Sequence, residues 1–195
     1  VQVLACLLAD AGDAETDQWI ARLAEFRAGD AEAIRARLFT KQQKWPEAVG
    51  ALSVAFDAWR SDPWTTPGLV NESVDLAQRI ARESGQRELA ERLFEKLGQQ
   101  FAVSSARERR LAARVEIAKF CADTPFNALT REALDDYGPH LPWRTAFLDL
   151  HVRTCNALSD PRLETALSDF RRFLAHEPIR FEAGLPRRAG VENGP

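Results

Sequence analysis

The stretch KWPEAVGALSVAFDAW, residues 44–59, carries the spacing that decides the fold. Its apolar residues recur at intervals of three and four, which is the period of one face of an α-helix. Pro46 stands in the first turn, where a missing N–H breaks no helical hydrogen bond. Gly50 stands inside the helix, where glycine costs about 1 kcal/mol relative to alanine. A glycine at such a position predicts that another backbone comes close, so this stretch predicts helix-on-helix packing.

Apolar residues at the same intervals recur along most of the chain, and sustained alternating runs rich in Val, Ile and Thr are absent. The chain is therefore predicted to be all-α. Prolines in the first turn and glycines just past the last turn mark the helix ends. We predict helices at residues 2–9, 16–27, 30–43, 46–60, 67–84, 86–97, 105–121, 125–137, 142–158 and 161–175. Because the connections are short, neighbouring helices are expected to form antiparallel hairpins.

Polar residues and glycines support these helix bounds. Three side chains are expected to cap free backbone N–H groups at helix starts: Thr66, Thr124 and Asp160. Three glycines are expected to adopt the left-handed conformation after helix ends: Gly85, Gly98 and Gly138.

Small and large residues recur at matching places in successive hairpins. The matching positions are Ala48, Ala90, Leu129 and Ala166, at spacings of 42, 39 and 37 residues. We predict that the three alanines are buried at close helix crossings. Ala166, Phe170 and the later Pro178 resemble the A-x3-F and Pro pattern of tetratricopeptide repeats. This resemblance implies antiparallel helical hairpins stacked as an α-solenoid over residues 30–178. The spacings exceed the family's 34 residues, and its Leu-Gly pair is missing, so an irregular helical bundle is the alternative.

Three other stretches resemble a more particular family: DAWRSDPW (57–64), YGPHLPWRTAFLDLHVRTCNAL (137–158) and SDPRLETALSDFRRFLAHEP (159–178). The order and the residue sequences of these stretches are similar to those of the helical C-terminal region of bacterial fused spermidine synthase-like proteins. The resemblance implies an accessory domain of an aminopropyltransferase whose catalytic domain is absent from this segment. Nothing in the chain resembles the glycine-rich cofactor loop or the paired aspartates of an aminopropyl transfer site.

The charge balance argues against nucleic acid and anionic membranes as partners. The 195 residues include 26 Lys and Arg and 29 Asp and Glu, for a net charge of −3. No global positive field therefore attracts either polyanion. The opening run VQVLACLLAD is apolar but too short to span a bilayer. Because the chain has no methionine and begins inside that run, we expect it to be a piece of a longer protein.

The cysteines indicate a reducing compartment. Cys6, Cys121 and Cys155 are widely spaced, odd in number and surrounded by apolar residues. This pattern favours reduced core residues over a disulfide framework, and it predicts a cytoplasmic protein. His151 and Cys155 are one helical turn apart, which is a metal-ligand spacing. The local sequence supplies no third ligand, so a hydrogen-bonded His beside a packed Cys is favoured over a metal site.

No pattern typical of an active site occurs in the sequence. The chain lacks a nucleophile elbow and a glycine-rich phosphate loop. The adjacent Asp135 and Asp136 point about 100° apart on a helix, so they do not share a proton easily. The tryptophans stand at helix boundaries, which favours hairpin packing over base stacking, because base stacking usually accompanies a basic groove. The segment is therefore predicted to be non-catalytic, with no cofactor and no metal.

The basic stretch ARERRLAARVEIAK, residues 106–119, is a candidate binding surface. Glu108 and Glu116 offset its arginines, so a solvated helix surface with short-range ion pairs is the alternative. The first helix of each tetratricopeptide hairpin lines the concave side. If the helices here are placed as this resemblance implies, six residues face one groove: Arg37, Lys41, Gln78, Arg82, Arg114 and His151. A cationic, amide-bearing groove fits an extended acidic peptide or a C-terminal carboxylate.

The functional prediction is a non-catalytic helical-repeat scaffold that binds a protein or peptide, or docks on the rest of its own chain. The alternative is the accessory domain of a spermidine synthase-like aminopropyltransferase. We divide the chain into an N-terminal helical hairpin at residues 1–29, a tetratricopeptide-like domain at residues 30–178 and a poorly ordered tail at residues 179–195.

Overall fold

A computed structural model describes residues 1–13 and 15–176 of the chain. Within these residues, all regular structure is helical, and the all-α prediction is confirmed. The predicted tail at residues 179–195, and the end of the predicted repeat domain, lie outside the described residues. The helices are α1 Gln2–Ala11, α2 Thr16–Ala24, α3 Ala28–Lys41, α4 Trp45–Trp59, α5 Pro67–Glu83, α6 Arg87–Lys96, α7 Arg107–Ala118, α8 Ala128–Asp135, α9 Thr145–Ala157 and α10 Leu163–His176, with a short 3₁₀ turn at Ser104–Ala106.

Helices pack on their neighbours along the chain and, in the first part of the chain, on the next helix but one. α3 contacts α1, α2, α4 and α5, and α5 contacts α3, α4, α6 and α7. α4 also contacts α6, whereas α9 contacts only α8 and α10 among the described elements. One hydrophobic core runs from Ala5 in α1 to Leu150 in α9. The described chain is therefore a bundle of successively packed helices with a shared core.

Of the two glycines in α3 and α4, Gly29 and not Gly50 lies at a close helix contact. A Cβ placed on Gly29 would lie 2.9 Å from the Cβ of Ala58 and 3.1 Å from Nε1 of Trp59. A Cβ placed on Gly50 would have no other atom within 4 Å. The prediction that Gly50 marks a close backbone contact is therefore wrong, because Gly50 lies on a partly exposed side of α4.

A buried polar contact holds α3 against α4 beside Gly29. The indole Nε1 of Trp59 donates a hydrogen bond to Oδ1 of Asp30 at 3.0 Å, and Nε of Arg27 lies 2.9 Å from Oδ2 of the same carboxylate. Burial raises the pKa of Asp30, although the bond from Trp59 and the charge of Arg27 oppose the shift. Trp59 also packs edge-on against Phe101, and its carbonyl accepts from the backbone N–H of Ala102. The contact therefore joins α3, α4 and the loop before α7.

The small residues of the repeat pattern are buried as predicted. Ala48 and Ala90 are fully buried, and Ala166 is 1% exposed. An added methylene at any of these positions has no free space unless the surrounding helices shift.

The predicted helix caps are confirmed only in part. Oδ1 of Asp160 accepts from the backbone N–H of Arg162 at 2.9 Å, as expected of a cap. Thr66 occupies the N-cap position of α5, but its side chain makes no capping bond. The prediction for Thr124 is wrong, because α8 begins three residues later than expected. There the side chain of Asn127 accepts from the backbone N–H of Thr130 at 3.0 Å.

Two of the three predicted left-handed glycines are confirmed. Gly85 and Gly138 have φ values of 63° and 61°. Gly98 does not have a positive φ, since the chain leaves α6 without a left-handed turn.

Candidate binding groove

Two adjoining surface depressions lie along α3 and α5, and we call them together the α3/α5 groove. The larger depression has a volume of about 650 Å³ and is lined by Asp10, Arg37, Thr40, Lys41, Gln43, Trp45, Arg79 and Glu83. The smaller one has a volume of about 370 Å³ and is lined by Arg37, Glu72, Asp75, Leu76, Arg79 and Arg82. Because Arg37 and Arg79 line both, the two depressions form a continuous surface.

Arg37 joins three helices at the centre of this groove. Its guanidinium donates to both carboxylate oxygens of Asp10 on α1, at 2.6 and 3.1 Å, and to Oε2 of Glu72 on α5, at 2.6 Å. Burial lowers the pKa of Arg37, but the hydrogen bonds to Asp10 and Glu72 outweigh it and raise the pKa overall. Arg37 is thus neutralised by its own chain and is poorly placed to bind an external anion.

Other cations of the groove are less well paired. Among the described residues, neither Lys41 nor Arg79 forms a salt bridge. Nη2 of Arg82 lies 3.7 Å from Oε1 of Glu83, which is a long contact between two largely exposed side chains. Asp75, by contrast, accepts a hydrogen bond from Arg109 on α7. The groove therefore presents Lys41, Arg79 and Arg82 to solvent beside the partly buried indole of Trp45.

Of the six predicted groove residues, the structure brings three together. Arg37, Lys41 and Arg82 line the α3/α5 groove. Gln78 is on α5 and partly buried, but it is not among the described residues that line either depression. Arg114 and His151 lie elsewhere, on α7 and α9.

Arg114 is a buried structural residue, which corrects its predicted place in the groove. Its guanidinium donates to Glu132 of α8 and to Asp136 just after that helix, and its Nε donates to the carbonyl of Phe94 at 3.2 Å. The guanidinium carbon lies 4.0 Å from the ring centre of Phe94. Arg114 lines a separate depression of about 390 Å³ with acidic side chains of α6 and α8. Its face of α7 points toward these helices and not toward α3.

His151 is partly buried on α9, far along the chain from the groove. Burial, followed by the charge of Arg162, lowers the pKa of His151 and thereby favours the neutral imidazole. Cys155, one turn further on, is fully buried, and burial raises the pKa of its thiol. Among the described residues, no group of three His, Cys, Asp or Glu side chains is placed to hold a metal ion.

Sequence reasoning missed Arg79, which lines both depressions together with Arg37. The sequence pattern of α5 could have identified Arg79, because this helix has one polar stripe: Glu72, Asp75, Arg79 and Arg82. These positions recur at intervals of three and four opposite the buried face of the helix. Gln78 belongs to neither this polar stripe nor the fully buried face.

Comparison with known proteins gives no match: no family model, curated protein or solved structure matches the chain. In the described part of the chain, no helix combines the length and the apolar character needed to cross a membrane.

Proposed function

We propose that the protein is a non-catalytic helical scaffold that binds an acidic segment of a protein in the α3/α5 groove. The observation that carries this proposal is the pair Lys41 and Arg79, which line the groove without a salt bridge among the described residues. The segment belongs to another protein or to the same polypeptide. An accessory role in an aminopropyltransferase-like protein stays a prediction, since no described contact bears on it.

The charge pairing within the groove supports an acidic ligand. Arg37 is already satisfied by Asp10 and Glu72, so these three groups attract little further charge. Lys41 and Arg79 are exposed and have no carboxylate partner among the described residues. Charges in a concave, partly desolvated surface interact more strongly with a carboxylate than the same charges do in open water.

The shape of the groove supports an extended segment. Its α5 side runs from Glu72 to Glu83, which at 1.5 Å per residue is about 16 Å. An extended chain advances about 3.3 Å per residue, so the groove accommodates about five residues. Trp45 adds an apolar wall for one side chain of such a segment.

The proposal includes a tetratricopeptide-like stacking of the hairpins. It is supported by the successive packing of α1, α3, α5 and α7, each on the next. Stacked helical hairpins characteristically contact only their neighbours and expose an extended binding surface.

Peptide display tests the proposal with the full chain as bait. We expect a random-peptide phage library selected on the full chain to enrich sequences rich in Asp and Glu. Binding of a selected peptide should weaken as salt rises, because the charges lie near the surface. The double substitution Lys41→Glu and Arg79→Glu should weaken binding about 10-fold to 100-fold, as expected for the loss and reversal of two surface charges.

Arg92→Glu is the matched control, because Arg92 is an exposed α6 residue that lines neither depression. It changes the net charge in the same direction and should leave the affinity nearly unchanged. Enrichment of neutral or basic peptides, or equal losses in the double variant and the control, would contradict the proposal. Circular dichroism of each variant shows whether helicity is retained.

A further inference from the structure

The last helix buries much less of its surface than the central ones do. Only Ala166 is buried among the 14 residues of α10, whereas α4 buries eight of its 15 residues. The apolar residues of α10 nevertheless form a single stripe at helical intervals: Leu163, Ala166, Leu167, Phe170, Phe173 and Leu174. Among the described elements α10 packs only on α9. The stripe is therefore covered on one side by α9 and open on the other, where Leu174 is 48% exposed.

Two opposite charges, Glu164 and Arg171, flank this stripe on one side. Glu164 lies in the first turn, and Arg171 follows seven residues later, which places both on the same side of the helix. Both side chains are exposed, and neither forms a salt bridge with a described residue. A parallel two-fold pair of such helices would place the two charges of one helix on the opposite flank of the seam from those of the other helix, so that no Glu164–Arg171 pair forms. An antiparallel pair sets each Glu164 against the Arg171 of the other helix.

We propose that α10 is the interface of a symmetric dimer, in which its apolar stripe packs antiparallel on the stripe of a second copy of this chain. A two-fold axis repeats every contact, so the Glu164–Arg171 pair forms twice. Self-complementary charge is the reason for choosing a second copy as the occupant.

The interface is small, so the dimer should depend on concentration. A 14-residue helix is about 21 Å long at 1.5 Å per residue. Contact over that length buries less than the roughly 1,600 Å² of a standard stable interface. We expect the full chain to be largely monomeric when dilute and dimeric at high concentration.

Sedimentation equilibrium of the full chain from micromolar to millimolar concentration measures this association. Leu174→Lys should raise the dissociation constant about 100-fold, because it removes two half-exposed leucines from the interface and adds two charges. Val54→Lys is the control, because Val54 is 53% exposed but lies on α4. It should leave the dissociation constant unchanged if the stripe itself, and not general surface hydrophobicity, drives the association.

A charge exchange tests the antiparallel geometry. Glu164→Arg alone and Arg171→Glu alone should each raise the dissociation constant about 10-fold, since each sets like charges together twice. The double variant Glu164→Arg, Arg171→Glu restores both pairs and should return to the affinity of the parent chain.

Two outcomes overturn the proposal. A full chain that stays monomeric over the whole concentration range shows that the stripe has another occupant or none. A double variant that associates as weakly as the single variants shows that the two helices do not pair in this antiparallel register. Neither outcome bears on the α3/α5 groove, so this proposal and the proposed function fail separately.

Discussion

Two arginines one turn apart on α7 show how differently the same side chain can be accommodated. Arg110 and Arg114 are each 4% exposed. Arg114 has two carboxylates, a carbonyl and an aromatic ring around it. Arg110 donates to the carbonyl of Leu97, and its Nε has no acceptor among the described residues. Burial lowers the pKa of Arg110, and the charge of Asp136 only partly opposes this shift. The buried guanidinium of Arg114 therefore has acceptors and opposite charges around it, whereas that of Arg110 has few.

We therefore predict different effects on stability for the same substitution at the two positions. Arg114→Met should lower the free energy of unfolding by about 1 to 3 kcal/mol, because it leaves the carbonyl of Phe94 and two carboxylates without their donor. Arg110→Met should change it by less than about 1 kcal/mol or raise it, because a poorly paired buried charge gives way to an apolar side chain. Urea unfolding followed by circular dichroism measures both. An Arg110→Met chain that loses as much stability as Arg114→Met would contradict this interpretation.

At the scale of helices, the α3–α4 crossing depends on the absence of one side chain. Gly29 allows Ala58 and Trp59 of α4 to approach, and that approach places the Trp59 indole against Asp30. The Cβ of Ala58 is fixed to its backbone and cannot turn away from an added methyl group. A methyl group at Gly29 would therefore separate the two helices and strain the buried Trp59–Asp30 bond.

The two glycines of this hairpin form a matched test. Gly29→Ala should destabilise the protein by about 1 to 3 kcal/mol through overpacking. Gly50→Ala should stabilise it by about 0.5 to 1 kcal/mol, because the site has free space and alanine favours the helix. Thermal and urea unfolding of both variants provide the measurement. A stabilised Gly29→Ala chain would show that the crossing tolerates a wider separation than the geometry implies.

At the scale of the whole molecule, burial is concentrated in the central helices. α3, α4 and α5 each contain eight buried residues, whereas α1 contains two and α10 one. Helices that bury fewer residues have fewer packing partners and open more easily.

Hydrogen exchange of dilute protein should reveal this gradient. We expect amides of α4 and α5 to be the most protected and those of α1 and α10 to exchange first, with mass spectrometry of peptic fragments as the readout. If α10 dimerises as proposed, its protection should increase with protein concentration while that of α1 stays constant. Equal protection of α10 and α4 in dilute solution would contradict the burial gradient.

The sequence by itself determined the helical class and much of the core. The intervals of three and four that define a helix face are local, and they are read within a few turns. The same intervals correctly marked Ala48, Ala90 and Ala166 as buried. Pro46 and Pro67 correctly marked the starts of α4 and α5 for a similar reason, since the fixed φ of proline acts where it stands.

Only the tertiary structure decided which charges are paired and which are available. Arg37 finds its partner Asp10 in another helix, 27 residues earlier in the chain, and Arg114 finds Glu132 in a helix that follows. Each pairing depends on which helices adjoin and how each is rotated about its axis. A shift of one residue rotates a side chain by about 100°, which is why Arg79 lines the groove and its neighbour Gln78 does not. Local periodicity contains no information about that rotation relative to a distant helix, because packing of the assembled core sets it.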